Sequence, residues 1–141
     1  MVNHYKNFFL LILIFVVGCK RSHNCENSSF SRGYIIGFDP CTVHSSSNIK
    51  GYVIKFENNP DTVAVYFSLP NYISIPDSLF NDYTNNYLFP NGFRDKYTIK
   101  AIYRDAKASE IVNVFCYSNI YLGSFYGATR GKQIIFECTT Q

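Results

Sequence analysis

The chain has 141 residues, 47% of them hydrophobic and 16% charged, enough for one small domain and too short for two ordinary ones. Its 13 Phe and 12 Tyr supply the apolar area of a core, which excludes an intrinsically disordered chain. The formal charge is +3, or +2 without Lys6 of the leader described next, too mild to point to nucleic acid.

Met1 to Asn7 carries Lys6 and no acid, and Phe8 to Gly18 is an uninterrupted eleven-residue apolar run. A basic start followed by such a run has the shape of a secretory signal peptide. As a helix the run covers roughly 16 Å, about half of a ~30 Å hydrocarbon core, so it is too short for a stable membrane span. The bland alternative is a buried core helix, but a run with no polar face that leads at once into Lys20-Arg21-Ser22 has little to pack against.

Val16-Val17-Gly18-Cys19 resembles the lipobox of bacterial lipoproteins, with an aliphatic residue, a small or aliphatic residue, a small residue and a Cys in order. The resemblance implies diacylglycerol on the Cys19 thiol, cleavage before Cys19 and acylation of the new amino group. Cys suits the position because a thiolate is nucleophilic enough to take the lipid. Several acyl chains at about 0.8 kcal/mol per buried CH₂ then make a lasting anchor. By the same resemblance, Lys20 after the Cys implies the outer membrane. The lack of an acidic cluster over Lys20 to Asn24 implies its periplasmic side.

Residues 1–18 therefore read as a signal peptide, 19–31 as a lipidated Cys with a polar tether, and 32–141 as a single β-domain. With Cys19 acylated, Cys25, Cys41, Cys116 and Cys138 remain, an even number that suits two disulfides in an exported protein. Of three possible connectivities, Cys41 with Cys116 and Cys25 with Cys138 is the expected one. It joins a turn after one strand to the end of another, and the tether to the last strand. Closing a loop of about 75 residues contributes on the order of 4 kcal/mol in the chain-entropy picture.

Period-two alternation dominates from Gly33 onward. Tyr34, Ile36 and Phe38 are expected on one face of a first strand, Tyr52, Ile54 and Phe56 on one face of a second, and Val63, Val65 and Phe67 on one face of a third. Asn58-Asn59-Pro60-Asp61 has the turn chemistry to join the second and third as a hairpin. Pro76 to Phe80 predicts a short helix or helical turn, and Phe89 to Phe93 a turn. The fourth strand follows, with Tyr97, Ile99, Ala101 and Tyr103 on one face and Arg94, Lys96, Lys100 and Arg104 on the other. Ala106 to Glu110 reads as a helical turn or a bend. Ile111 to Tyr117 predicts a strand, Ile120 to Leu122 a possible short one, and Lys132 to Cys138 the last.

The fold class expected is all-β with one short helix: a small antiparallel barrel of five to six strands resembling the OB-fold, with a small β-sandwich as the alternative. The stretch Gly33 to Cys41 also resembles the start of small bacterial envelope lipoproteins, a likeness that brings no activity with it.

Chemistry is sparse. Cys41 and His44 have a C-x-x-H spacing that suits two zinc ligands or a thiolate–imidazole pair, yet a disulfide cysteine beside a loop histidine explains it as well. A carboxylate pair across a cleft would suit sugar hydrolysis, but the acids fall mostly in turns and strand ends. No catalytic residue, metal site or cofactor is expected. The basic row Arg94, Lys96, Lys100 and Arg104 is the candidate binding face, suited to an anionic polymer or glycan with Tyr as stacking partner. Otherwise it is an ordinary solvated strand face. The expected function is a membrane-anchored envelope lipoprotein with a non-enzymatic binding or structural β-module. Its partners are membrane lipid through Cys19 and an envelope protein, glycan or lipid, with no nucleic acid. A small envelope enzyme using Cys41 with His44, or two carboxylates, is the alternative.

Overall fold

A computed structural model describes residues 25, 29–43, 49–80, 87–116 and 122–140. Cys19, His23 and His44 lie outside the described residues. Five strands form one antiparallel sheet: β1 (Ser31–Phe38), β2 (Tyr52–Phe56), β3 (Thr62–Val65), β4 (Thr98–Asp105) and β5 (Ile134–Thr140), in spatial order β3-β2-β1-β4-β5. The sheet is not closed, although its outer strands β3 and β5 meet at one isolated parallel bridge, Ala64 with Gln133. Two short helices, α1 (Pro40–Val43) and α2 (Gly123–Thr129), and 3-10 turns at Asp77–Phe80, Asn91–Phe93 and Ala108–Glu110 complete the described elements. None of the described helices is long and apolar enough to cross a membrane.

The alternation of β2 and β3 holds. Tyr52, Ile54 and Phe56, with Val63 and Val65, are buried in the main core, and Phe67 packs against it. The hairpin pairs Tyr52 with Val65 and Lys55 with Thr62. In β4, Ile99 and Ala101 face the same core while Thr98 and Lys100 are exposed. One end of the core is aromatic: Phe38 packs edge-on against Phe80 with centroids 5.5 Å apart, and Phe80 against Phe89 at 5.9 Å. Each such pair adds about 0.5–1.5 kcal/mol beyond the area it buries.

β1 departs from simple alternation. Its pairing with β2 shifts register between Ile35 and Gly37, a bulge that turns the chain so that Ile35 and Phe38 both enter the main core. Ile36 packs instead with the second cluster, Val53, Ala64 and Phe125, beneath α2. The expected common face of Tyr34, Ile36 and Phe38 is thus split by the extra residue.

Two further corrections concern the second half. Ile111 to Cys116 is not a strand; Tyr117 lies outside the described residues. The Gln133 side-chain amide stands in for a neighbouring strand there, accepting from the Val112 N–H and donating to the Val112 carbonyl, both at 2.9 Å. Leu122 precedes α2 rather than ending a strand. That helix carries two glycines and only one buried stripe, Phe125 and Thr129, too weak a signal to read from propensity. Arg130 and Gly131 end it with positive φ, and the reversal delivers the Lys132 carbonyl to the Ala64 N–H at 2.9 Å.

At the bulge, Gly37 lies between Val53 of β2 and Leu88. A Cβ there would run into the Tyr87 carbonyl, which accepts from the Phe38 N–H at 2.8 Å. Gly37→Ala is expected to cost about 1–3 kcal/mol or more, read as a lower urea midpoint. An unchanged midpoint would show that the 87–89 backbone is free to move aside.

Candidate functional site

The structure divides the basic row predicted from the sequence. Arg94 and Lys96 precede β4, and Arg94 donates from Nε to the Phe89 carbonyl at 2.6 Å, tying off the Asn91–Phe93 turn. Arg104 is engaged at the far end of the strand. Its guanidinium grips Glu110 through two hydrogen bonds of 2.6 and 2.7 Å and lies 3.4 Å from Glu137. The Arg104 hydrogen bonds, with one from the Lys107 N–H, hold the Glu110 carboxyl down to about 2. Between Lys100 and Arg104, Ile102 stands opposite Cys138 in β5, and Cys138 carries Cys25 over that position through a disulfide.

Lys96 and Lys100 come together instead with Arg32 of β1, a residue outside the predicted row. Arg32 and Lys100 are directly opposite across the β1–β4 pairing, a like-charge juxtaposition that costs stability on its own. With Tyr72, Thr98 and Thr140 these three cations line a groove of about 700 Å³. Among the described residues, no Asp or Glu side chain lines it. Rings support the charges: the Arg32 guanidinium lies 5.5 Å from the Tyr34 ring centre, and the Lys96 ammonium 5.1 Å from Phe93 and 5.8 Å from Tyr97. Arg32 also lies 3.6 Å from Glu57, an exposed contact of the kind worth little. Tyr72 closes one side by donating from its hydroxyl to the Thr140 carbonyl at 2.7 Å.

A second recess of about 700 Å³ adjoins the groove, lined by Tyr34, Ile36, Phe56, Pro60, Arg94 and Asp95 among others. Neighbouring residues line the two: Tyr34, Arg94 and Asp95 the recess, Arg32 and Lys96 the groove. Tyr34 donates to Glu57 at 2.7 Å on the rim, which raises its pKa, the hydrogen bond to that carboxylate being the largest cause.

The cysteines pair as Cys25–Cys138 and Cys41–Cys116, with Cα atoms 6.1 and 4.7 Å apart, inside the range a disulfide spans. Bonded in this way, Cys41 has no thiol to offer as a nucleophile or metal ligand. Beside it lies a buried polar knot. Asp39 accepts the Cys41 N–H on Oδ1 at 2.9 Å and the Tyr66 hydroxyl on Oδ2 at 2.7 Å. Thr42 donates to the Asp39 carbonyl at 2.7 Å and accepts the Gly51 N–H at 3.0 Å. Burial raises the Asp39 carboxyl above its ordinary range, with both hydrogen bonds opposing, and burial next to that carboxylate pushes the Tyr66 phenol far above its own. The motif places an acid where the backbone needs an acceptor, as helix caps do.

Several of the remaining acids face cations: Asp61 and Asp105 both approach Lys132, at 3.8 and 3.6 Å, and Asp77 approaches Lys50 at 2.8 Å. Among the described residues no group of three or more His, Cys, Asp or Glu is placed to hold a metal. Compared with known proteins, the chain matches no family model, no curated protein and no solved structure.

Asp39→Ala removes the acceptor of the buried Cys41 N–H and of the partly buried Tyr66 hydroxyl, an expected loss of about 1–3 kcal/mol in urea unfolding. The pH dependence has a definite sign. Because the folded-state pKa is raised, the folded state binds the extra proton, so this group's contribution falls as pH rises from its unfolded pKa through the folded one. Asp39→Asn should flatten that part of the stability–pH curve; an unchanged slope would place the titration elsewhere.

Proposed function

We propose that the chain is a lipid-anchored, non-enzymatic module of the bacterial cell envelope, whose β-domain binds an anionic partner at the groove of Arg32, Lys96 and Lys100. The observation that carries the address is Cys19 at the end of Val16-Val17-Gly18, directly after an eleven-residue apolar run. Two disulfides in so short a chain fit an oxidising compartment. Lys20 favours the outer membrane, on its periplasmic face.

An OB-like arrangement is the finer reading of the fold. It is supported by the strand order β3-β2-β1-β4-β5 and by the parallel contact that brings β3 to the start of β5. The turn at Asp77–Phe80 occupies the helix position between third and fourth strands, while α2, between β4 and β5, is an addition. Binding rather than catalysis is favoured by the disulfide at Cys41 and by the grouping of Arg32, Lys96 and Lys100 in one groove. A scaffold of this type leaves function to its surface.

Intact mass of the membrane-extracted protein tests the reading. The expected result is a chain beginning at Cys19 with added acyl mass and four thiols that appear only on reduction. Cys19→Ala should retain residues 1–18 and carry no lipid. A wild-type chain that keeps its leader unmodified would overturn the anchor.

A further inference from the structure

The groove and the Cys25–Cys138 disulfide lie on one face of the sheet. Cys25 is bonded to Cys138, two residues before Thr140, which stands opposite Lys100; Lys100 in turn stands opposite Arg32. Two residues along a strand are about 6.7 Å. Whatever path the chain takes, the six residues from Cys19 to Cys25 span at most about 21 Å. Measured instead to Ser31 at the start of β1, that limit doubles to about 42 Å. The disulfide thus halves the greatest distance at which Cys19 can lie from this end of the sheet and leaves the groove free to approach within the about 8–10 Å over which charge attraction acts in salt.

We propose that Arg32, Lys96 and Lys100 form a docking surface for the phosphates of anionic phospholipids in the same membrane that holds the acyl chains of Cys19. The proposal rests on the lipid-anchor reading. Charge complementarity selects the occupant: all three cations are exposed, and two of them face each other across neighbouring strands. Lys20 and Arg21, next to Cys19 in the sequence, add to the same attraction. Tyr72, exposed in the groove wall, is a residue of the kind that sits at headgroup level, with an apolar ring and a polar tip.

The test uses the full processed protein reconstituted in vesicles of phosphatidylcholine, with or without phosphatidylglycerol. Lysine acylation by a water-soluble reagent is read residue by residue by mass spectrometry, with exposed Lys107, beyond the far end of β4, as the internal standard. The expected result is that Lys96 and Lys100 react about fivefold more slowly, relative to Lys107, only when phosphatidylglycerol is present. High salt, or Arg32→Ser with Lys96→Ser, should abolish the protection of Lys100. Equal rates in both vesicles would overturn the docking surface. So would equal protection by inorganic phosphate in phosphatidylcholine vesicles, which would assign the groove to free anions. Intact mass of the same sample reports acylation of Cys19 separately, so loss of the anchor reading and loss of the docking surface are told apart. If Cys19 carries no lipid, flotation of the full chain with phosphatidylglycerol vesicles, lost in Arg32→Ser/Lys96→Ser/Lys100→Ser, still supports the surface, and flotation unchanged in that variant overturns it.

Discussion

Gly37 lets the middle strand of the sheet change partners halfway along. The first half of β1, Ser31 to Tyr34, pairs with β4. Ile35 then donates to the Tyr97 carbonyl, and from Ile36 onward the hydrogen bonds go to Tyr87 and Phe89. The exchange requires a backbone approach that only a residue without Cβ permits. The bulge it accompanies turns Phe38 into the aromatic end of the core and sets Asp39 at the head of α1, where its carboxylate meets the Cys41 N–H and Tyr66. On the other side it frees residues 91–97 from the sheet, so that they fold into a turn and carry Arg94 and Lys96 to the rims of the two recesses. Core, disulfide corner and groove all follow from one small side chain.

Cations are sorted by their surroundings. Arg104 and Lys132 lie among carboxylates, where they pin the β4–β5 end of the sheet. Arg32 and Lys96 lie over aromatic rings, Arg32 with Glu57 also within 3.6 Å. A ring face holds a cation in place without neutralising it. Lys50, over Phe80 and bonded to Asp77, combines both arrangements outside the groove.

Much of this was legible in the sequence where local pattern decides structure. Alternation placed the inward residues of β2, β3 and β4, turn chemistry placed the Asn58 to Asp61 hairpin, and strand ends suggested the cysteine pairs. What was hidden depends on contacts distant in sequence. The β1 bulge has a sequence signal in Gly37, yet its effect on facing is set by residues 87–89. Arg32 joins Lys96 and Lys100 only through strand register, which a period-two count cannot supply across such a separation. Arg104 reads as one more member of a basic row until Glu110 and Glu137 are folded beside it. The segment from Ile111 has strand-like alternation, but a side chain, not a strand, meets its backbone.

That last substitution has a consequence for how the molecule behaves in a crowd. Ile111-Val112-Asn113-Val114-Phe115 is rich in β-formers and uncharged, the composition that templates cross-β stacking, and Phe115 is 78% exposed. As an ordinary edge strand it would offer its backbone to any neighbouring copy. Gln133 occupies both the donor and the acceptor of Val112, and the bond from Cys116 to Cys41 fixes the far end. One amide side chain and one disulfide therefore tether a sticky segment at Val112 and at its far end, so that it stays on its own molecule without belonging to the sheet.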